Sequence, residues 1–350
     1  MIKVHNFSAG PAILPQVVID NCAAAIKNFS NTNLSLIEVS HRGKEFVAVM
    51  DEAKSLVKKI MNLGDDYEVL YLQGGASTQF LMVAMNLLET KAAYTETGTW
   101  AKNAIKEADY CGQVDVLASS KDANFNYIPK NYTISDDYDY FHCTSNNTIF
   151  GTQMKSFPEC KVPLVCDMSS DIFSRVLDFS KFDLIYAGAQ KNMGPAGTTL
   201  VVIKKEILGK VSRRIPTMLD YNTHIDKESM FNTPSVFAVY GCMETLRWID
   251  DQGLANIEKM NNAKAELLYN EIDTNDMFEG TTAKEDRSYM NVTFVLKENS
   301  MNEAFLKACA EANISGLKGH RSVGGFRASM YNALGIESVQ ALVNVMQTFK

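Results

Sequence analysis

The sequence predicts an α/β fold in which helices pack on a mixed, mostly parallel β-sheet, followed by a smaller α+β domain at the C-terminus. Apolar residues make up 46% of the 350 residues and charged residues 21%, which is typical of a globular protein with a large core. Short apolar runs alternate with helical stretches through most of the chain. The runs are continuous rather than alternating, which indicates strands that are buried on both faces of a sheet.

Local patterns predict the elements in chain order. Residues 68–72 form an apolar run that Gly74 and Gly75 close, so we expect a strand there, followed by a helix over 78–88. Further strands are expected at 162–166, 184–187, 199–203 and 290–296, and helical patterns cover 235–268, 302–313 and 338–349. The chain length suggests about two domains. We predict a large domain over 16–260 and a small domain formed by 1–15 and 261–350.

The charge balance and the lack of certain motifs disfavour several classes of function. The net charge of −7 disfavours a general nucleic-acid binder, because neutralising phosphates requires a surplus of Lys and Arg. No apolar run reaches the ~20 residues that span a bilayer, and the N-terminus lacks the pattern of a signal peptide. The cysteines and histidines lack the spacings of metal sites, which predicts free thiols and no metal. We therefore expect a cytoplasmic protein without nucleic-acid or membrane partners.

A glycine-rich segment lies between the first predicted strand and the helix after it. Gly74 and Gly75 allow a sharp turn, and the start of a helix offers free N–H groups and a positive dipole end to a phosphate. Ala76 follows them, and Ser77 and Thr78 could add hydroxyl donors. The same residues also fit an ordinary turn in which a Ser or Thr side chain caps the helix. Both interpretations stay open.

Two charged residues directly follow predicted strands. Asp167 ends the run 162–166, at the position where open α/β sheets bind ligands, although it could instead cap a following helix. Lys191 follows the run 184–187 among small residues. If it is buried, its amine loses its proton easily and becomes a nucleophile toward carbonyl groups. An exposed loop lysine is the alternative.

Basic residues form an early and a late cluster in this acidic chain. The members are His41, Arg42, His320, Arg321 and Arg327. Because guanidinium groups bind carboxylate and phosphate with paired hydrogen bonds, the clusters indicate a small substrate with two anionic groups, unless both are exposed loops. Trp100, one of two tryptophans, could stack on a flat ring or belong to the core.

These segments together resemble the phosphoserine aminotransferases, a family of fold-type I, class V enzymes that use pyridoxal 5′-phosphate (PLP). The resemblance covers nearly the whole chain. Its most specific pieces are AGAQKN at 187–192 and GHRSVGGFRAS at 319–329, and the second separates the family from other class V enzymes. The segments EVSHR at 38–42 and FNTP at 231–234 also match the family, and all of these segments occur in the same order along the chain as in the family.

The resemblance implies a cofactor role for each matched residue. Lys191 would form the Schiff base with PLP, and Asp167 would pair with the pyridine nitrogen. Trp100 would stack on the ring, with Thr148 beside it. The cofactor phosphate would be bound by residues of two subunits, namely Ala76, Ser77 and Gln190 from one chain and Asn232 and Thr233 from the other. The resemblance therefore implies a homodimer with shared active sites.

The resemblance also implies the substrates. Arg327 would bind the α-carboxylate. The distal phosphate or carboxylate would be bound by His320 and Arg321 together with His41 and Arg42, the last two from the partner chain. The implied reaction is a reversible, ping-pong transfer of the amino group from L-glutamate to 3-phosphohydroxypyruvate, which gives O-phospho-L-serine and 2-oxoglutarate in serine biosynthesis. Family analogy adds 4-phosphooxy-L-threonine, in pyridoxine synthesis, as a second substrate.

One departure and three alternatives accompany this interpretation. Some family members have an arginine where this chain has Ser77, so a cation near the distal anion is missing. Another class V enzyme, such as an alanine–glyoxylate aminotransferase or a cysteine desulfurase, is the nearest alternative, although a desulfurase would need a reactive cysteine on a mobile loop. A silent PLP-fold binding protein is disfavoured because Lys191, Asp167 and Trp100 are all present. A nicotinamide-dependent dehydrogenase would need a GxGxxG motif, which is absent.

Overall fold

The structure, a computed structural model, describes residues 4–321 and 323–350. The residues 1–3, which begin the predicted domain segment 1–15, and Ser322 of the segment 319–329 lie outside the described residues. The α-helices of the described ranges are α1 Gln16–Lys27, α2 Lys44–Met61, α3 Gly75–Leu87, α4 Thr99–Ala108, α5 Tyr221–Asp226, α6 Val236–Gln252, α7 Leu254–Thr274, α8 Asn302–Glu311 and α9 Ile336–Thr348. The β-strands are β1 His5–Asn6, β2 Tyr67–Leu72, β3 Lys91–Glu96, β4 Gln113–Ser119, β5 Phe141–Thr144, β6 Asn146–Asn147, β7 Thr152–Gln153, β8 Leu164–Asp167, β9 Leu184–Gly188, β10 Thr199–Lys204, β11 Phe278–Gly280, β12 Asn291–Leu296, β13 Ile314–Ser315 and β14 Phe326–Ser329.

The central sheet is mixed and mostly parallel, as the sequence predicts. Its strand order is β2-β10-β9-β8-β5-β3-β4. Strand β10 runs antiparallel to β2 and β9, whereas β9, β8, β5, β3 and β4 run parallel to one another. The parallel strands therefore place all their carboxyl ends at one edge of the sheet, which is where α/β proteins bind ligands. The predicted α/β fold class is confirmed.

The predicted elements are present, with differences at their ends that have local causes. The first predicted helix begins earlier, at Gly75, because Gly74 and Gly75 make the turn themselves with φ angles of 97° and 68°. The second predicted strand begins only after Pro163, which has no N–H to donate to a neighbouring strand. The helical pattern 235–268 is two helices, α6 and α7, which are separated at Gly253 with a φ of 74°.

Apolar side chains form a core layer on each face of the central sheet. On one face α2 and α6 pack over strand residues that include Cys143 and Cys166. On the other face α3 and α4 pack over residues that include Val165 and Tyr186. Adjacent residues of β8, such as Val165 and Cys166, therefore face opposite layers, as the alternation of a strand requires. A strand buried in this way on both faces explains the continuous apolar runs of the sequence.

The C-terminal part has a core of its own, built by α7, α8 and α9 against β12 and β14. Phe305 lies at its centre, with its ring centroid 5.0 Å from that of Phe326 and 5.2 Å from that of Phe278. The N-terminal segment joins this core through Phe7, because β1 pairs with β13. The boundaries of the two domains stay a prediction. None of the helices in the described ranges combines the length and the apolar content needed to cross a membrane.

Candidate active site

A cleft of about 140 Å³ lies at the carboxyl edge of the central sheet, where β5 and β8 end. The last residues of these strands, Thr144 and Asp167, are partners in the parallel ladder, so their side chains point to the same face of the sheet. The helices α3 and α4 cover that face. Most of the residues predicted to bind the cofactor line this cleft, namely Ala76, Ser77, Trp100, Thr148, Asp167, Gln190 and Lys191.

The turn into α3 presents the start of a helix to the cleft. Gly74 occupies the N-cap position, and no side chain caps the helix. Thr78 instead donates its hydroxyl to the carbonyl of Gly74 at 3.1 Å, so the alternative of a Ser or Thr cap is wrong. A side chain at Gly74 would clash with Thr78, which explains why this position suits glycine. The positive end of α3 therefore faces the cleft beside Ala76 and Ser77, as a phosphate site requires.

Lys191 follows β9 and lines the cleft as a partly buried side chain. Its Nζ donates to Thr148 Oγ1 at 2.9 Å and lies 6.0 Å from the ring centroid of Trp100. Burial lowers the pKa of Lys191 to about 8, although the negative charge of Asp167 opposes this shift. The alternative of a solvated loop lysine is therefore wrong, and a substantial fraction of the amine is neutral near physiological pH.

Asp167 is a buried carboxylate at the end of β8, with 4% of its surface exposed. Its Oδ1 accepts the N–H of Ser169 at 2.9 Å. The residues after it form turns rather than a helix, so the alternative of a helix cap is wrong. Burial raises the pKa of Asp167, while the hydrogen bonds from Ser169 and the charge of Lys191 oppose the rise. Because a buried carboxylate is costly without a cation, this position is suited to a positively charged group.

Trp100 and Thr148 form two walls of the cleft. Trp100 lies in the first turn of α4, and its indole Nε1 is buried without a hydrogen-bond partner among residues 4–321 and 323–350. The hydroxyl of Thr148 accepts a hydrogen bond from the Lys191 amine, and its carbonyl accepts one from Arg327 Nη1 at 3.5 Å. Thr148 thus connects the lysine of the cleft with the arginine of the late basic cluster.

Arg327 borders a second cavity of about 140 Å³, and its contact with the carbonyl of Thr148 connects it to a residue that lines the cleft. It lies on β14, where it pairs with Thr293 of β12. Burial lowers the pKa of Arg327, and its Nε has no hydrogen-bond partner in the part of the chain that the structure describes. His320 lines the same cavity. A guanidinium group with an unused donor beside a lysine-bearing cleft suits a carboxylate ligand.

The remaining predicted site residues line neither of these two cavities in this chain. They are His41, Arg42, Asn232, Thr233 and Arg321. Arg42 is exposed in the turn before α2, and His41 Nε2 is buried without a hydrogen-bond partner. Asn232 donates to Gln73 Oε1 at 2.7 Å, and Gln73 Nε2 donates to the carbonyl of Thr233 at 3.2 Å. Asn232 and Thr233 therefore lie beside the glycine turn that leads into α3.

The sequence interpretation missed four polar residues that line the cleft, namely Thr144, Asn146, Ser169 and Ser170. Asn146 Nδ2 donates to Ser170 Oγ at 2.8 Å and to Asn291 Oδ1 at 2.7 Å. The hydroxyl of Ser169 accepts the N–H of Gly188 at 3.2 Å. Their signal in the sequence is position, because each follows or ends a buried strand at the same edge as Asp167.

Comparison with known proteins places the chain in a family. A sequence model of the family described as Aminotransferase class-V matches residues 4–342. The chain belongs to this family. A phosphoserine aminotransferase of Flavobacterium psychrophilum is 64% identical over 350 residues, which cover 99% of this chain and 98% of the relative.

Solved structures agree with the fold of this class-V aminotransferase. The phosphoserine aminotransferase from Bacillus circulans subsp. alkalophilus superimposes with a TM-score of 0.96 at 43% identity, covering 99% of this chain and 98% of that chain. A PLP-bound phosphoserine aminotransferase from Trichomonas vaginalis superimposes with a TM-score of 0.93 at 35% identity, covering 99% and 100% of the two chains. The family resemblance and the aminotransferase class predicted from the sequence are confirmed.

Proposed function

We propose that this class-V aminotransferase uses PLP to transfer the amino group of L-glutamate to 3-phosphohydroxypyruvate, giving O-phospho-L-serine and 2-oxoglutarate. Relatives that match the chain from end to end are named phosphoserine aminotransferase. The structural observation that carries the proposal is the meeting of three groups in one cleft: the low-pKa amine of Lys191, the buried carboxylate of Asp167 and the indole of Trp100. The activity and the cofactor are those predicted from the sequence.

The residues of the cleft fit PLP. The uncapped start of α3 would receive the cofactor phosphate between Ala76, Ser77 and Gln190. Burial raises the pKa of Asp167 even though the charge of Lys191 opposes the rise, so the buried carboxylate suits a protonated ring nitrogen. Trp100 offers an indole face to the ring and has an unpaired Nε1 in the same wall.

Lys191 and Asp167 would then perform the chemistry of amino transfer. Bound PLP supplies an electron-withdrawing ring that stabilises negative charge on the substrate carbon. Lys191 would hold PLP covalently until the amino group of the substrate displaces it, and the freed Nζ, whose pKa is about 8, would then take up and return a proton at the substrate Cα near neutral pH. Asp167, screened from water, would keep the ring nitrogen protonated. Thr148 orients the lysine amine by accepting its hydrogen bond.

The second cavity would bind the anionic groups of the substrate. Arg327, which reaches the carbonyl of Thr148, would bind the α-carboxylate beside the lysine. His320, in the same cavity, and Arg321 would bind the distal phosphate or carboxylate. We propose that His41 and Arg42 of the partner subunit complete this binding. Arginine and histidine suit a pocket that must accept both glutamate and a phosphorylated keto acid, because they supply charge without one required geometry.

Replacing Arg327 by alanine should raise the KM for both glutamate and 3-phosphohydroxypyruvate about 10–100-fold, because a hydrogen bond to a charged group is worth about 1.5–3 kcal/mol. Steady-state kinetics with each substrate would measure this change, and the absorbance of the bound cofactor should stay as in the wild type. The exposed Arg214 offers the control, since Arg214→Ala removes a cation outside both cavities. An unchanged KM in Arg327→Ala would exclude the proposed role.

We also propose a homodimer whose active sites are shared between subunits. Two large apolar side chains are exposed beside residues assigned to the partner's site: Ile37, at 60% exposure, precedes His41, and Phe231, at 40%, precedes Asn232. Exposed apolar side chains next to functional residues are typical of a surface that another subunit covers. Asn232 and Thr233 contact Gln73 of their own chain, beside its glycine turn, so their assignment to the partner's phosphate site rests on the family resemblance and not on these contacts.

Mixed dimers of two inactive variants test the shared site. After subunit exchange, Lys191→Ala and Asn232→Ala should together regain about a quarter of wild-type activity, since about half of the dimers are mixed and each then has one intact site. Lys191→Ala mixed with Asp167→Asn is the control, because those two residues belong to the cleft of one chain and no site is restored. Subunit exchange is verified by mass spectrometry. If activity is still not regained, the proposal of shared sites is refuted.

A coupled assay tests the proposed reaction against the nearest alternatives. Turnover with glutamate and 3-phosphohydroxypyruvate should greatly exceed turnover with alanine and glyoxylate. The opposite preference would assign the enzyme to another class V activity. A cysteine desulfurase is disfavoured by the structure, because no cysteine of the described ranges lines the cleft, and Cys143 and Cys166 face the opposite layer of the sheet.

A further inference from the structure

The wall of the cleft contains a buried hydroxyl group that has no partner among the residues that the structure describes. Thr144 ends β5, with 2% of its surface exposed, and within the described ranges its Oγ1 has no hydrogen-bond partner. The next residue shows the usual situation, since Ser145 Oγ donates to the carbonyl of Asp167 at 3.0 Å. Because a buried polar group without a partner destabilises the folded state, one that lines a binding cleft points to a ligand that satisfies it.

The register of the sheet places this hydroxyl next to the carboxylate that is proposed to face the cofactor ring. Thr144 and Asp167 are direct partners of the parallel pair β5 and β8, and their side chains share one face. Both line the cleft with Lys191. One oxygen of the Asp167 carboxylate already accepts the N–H of Ser169 at 2.9 Å. The end of β5 therefore places an unused hydroxyl group beside the Asp167 carboxylate in the wall of the cleft.

We propose that Thr144 is a further cofactor-binding residue, whose hydroxyl is hydrogen-bonded only when PLP fills the cleft and thereby positions the ring against Asp167. This inference rests on the proposed function. A hydroxyl can donate one hydrogen bond and accept others, so it can serve either a polar atom of the cofactor or the carboxylate that the cofactor orders. Thr144 is a positioning residue, and its effect is expected in cofactor affinity in the absence of turnover.

The test measures binding of 4-deoxypyridoxine 5′-phosphate to the full-length apo enzyme by calorimetry. This compound is PLP with a methyl group in place of the aldehyde, so it cannot bond to Lys191, and its affinity reports the non-covalent site alone. Thr144→Val keeps the shape of the side chain and removes the hydroxyl. We expect Kd to rise about fivefold, the size of one neutral hydrogen bond. Thr144→Ser keeps the hydroxyl and should bind within about twofold of the wild type.

Thr95 provides a matched control for the loss of an unpaired hydroxyl. It is 1% exposed, its Oγ1 also lacks a partner, and it lies on β3 away from the residues that line the cleft. Thr95→Val should leave Kd unchanged. For both valine variants the melting temperature of the apo enzyme should be equal to or above that of the wild type, because an unpaired hydroxyl is replaced by an apolar group of similar shape. Only Thr144→Val should lose part of the melting-temperature increase that the compound causes.

The outcomes separate the failure of this inference from the failure of the proposed function. If wild-type enzyme binds the compound and Thr144→Val binds it equally well, the role of Thr144 is excluded while the cofactor site stands. If Thr95→Val raises Kd as much as Thr144→Val does, the role of Thr144 is also excluded, since the effect would then not depend on a position in the cleft. If the wild-type apo enzyme does not bind the compound, the PLP site itself is refuted, together with the role of Thr144.

Discussion

Replacing Lys191 by alanine is expected to abolish the visible absorbance of the bound cofactor and to lower kcat by about 10⁴-fold, the upper range for loss of a general acid–base group. The amine of Lys191 lies in the cleft and donates a hydrogen bond to Thr148, and burial lowers its pKa to about 8. Absorbance spectroscopy of purified enzyme and the coupled assay measure both effects. Borohydride reduction of wild-type enzyme followed by peptide mass spectrometry should recover the cofactor on Lys191.

A second lysine and a pH profile make this prediction specific. Lys205 is exposed directly after β10 and forms an ion pair with Glu68 at 3.0 Å. Lys205→Ala should therefore keep both the cofactor absorbance and the activity. Only the neutral amine reacts, so the rate at which apo enzyme captures PLP should rise with pH and level off, with a midpoint at about 8. A midpoint near the ordinary lysine value of 10.5, or a label on another lysine, would contradict the burial argument.

Replacing Asp167 by asparagine is expected to lower kcat by about 10²–10⁴-fold, because removing one partner of a buried ionic contact costs about 3–5 kcal/mol. The neutral amide no longer keeps the ring nitrogen of the cofactor charged. Single-turnover kinetics with glutamate would isolate this loss from product release. A variant with wild-type kcat would show that the carboxylate does not take part in the chemistry.

Although Asp167→Asn should lose activity, the stability of its apo form should be equal to or higher than that of the wild type. Burial raises the pKa of Asp167, so the folded apo enzyme carries a penalty that begins as the pH rises above the ordinary aspartate value of 3.8 and grows until the pH exceeds the raised pKa. Asparagine removes this penalty and can still accept the N–H of Ser169, so thermal unfolding of the apo variant should occur at or above the wild-type temperature. Asp183→Asn is the control: its carboxylate accepts from Leu164 and pairs with Lys204 at 2.9 Å, so stability should fall while kcat is kept.

The strands that carry the site were predictable where burial on both faces left a continuous apolar run, as at β8, β9 and β10. Strands β3, β4 and β5 were not predicted. Strand β4 lies at the edge of the sheet and is partly exposed, so its sequence lacks a continuous apolar run. Strand β3 contains adjacent alanines, which have low strand propensity. The strand order was also beyond prediction, because pairing joins segments that are far apart in the chain.

The residues of the candidate site were likewise predictable only in part. Lys191 and Asp167 were recognisable because each follows an apolar run, and the family resemblance then assigned their roles. Thr144 was missed because β5 was missed, and a threonine carries no signal unless its strand partner is known to be Asp167. The place of Asn232 beside Gln73 likewise depends on a contact between residues 159 positions apart.

By itself, the sequence determined which chemical groups this protein has and the family to which it belongs, because short segments such as AGAQKN keep their identity whatever surrounds them. Only the tertiary structure decided what those groups can do. It brings Trp100, Asp167 and Lys191 from three separate segments into one cleft, where Asp167 is buried and the other two are partly buried. The pKa of a side chain and the need of a hydroxyl for a partner are set by neighbours and by exclusion of solvent, and the folded chain alone supplies both.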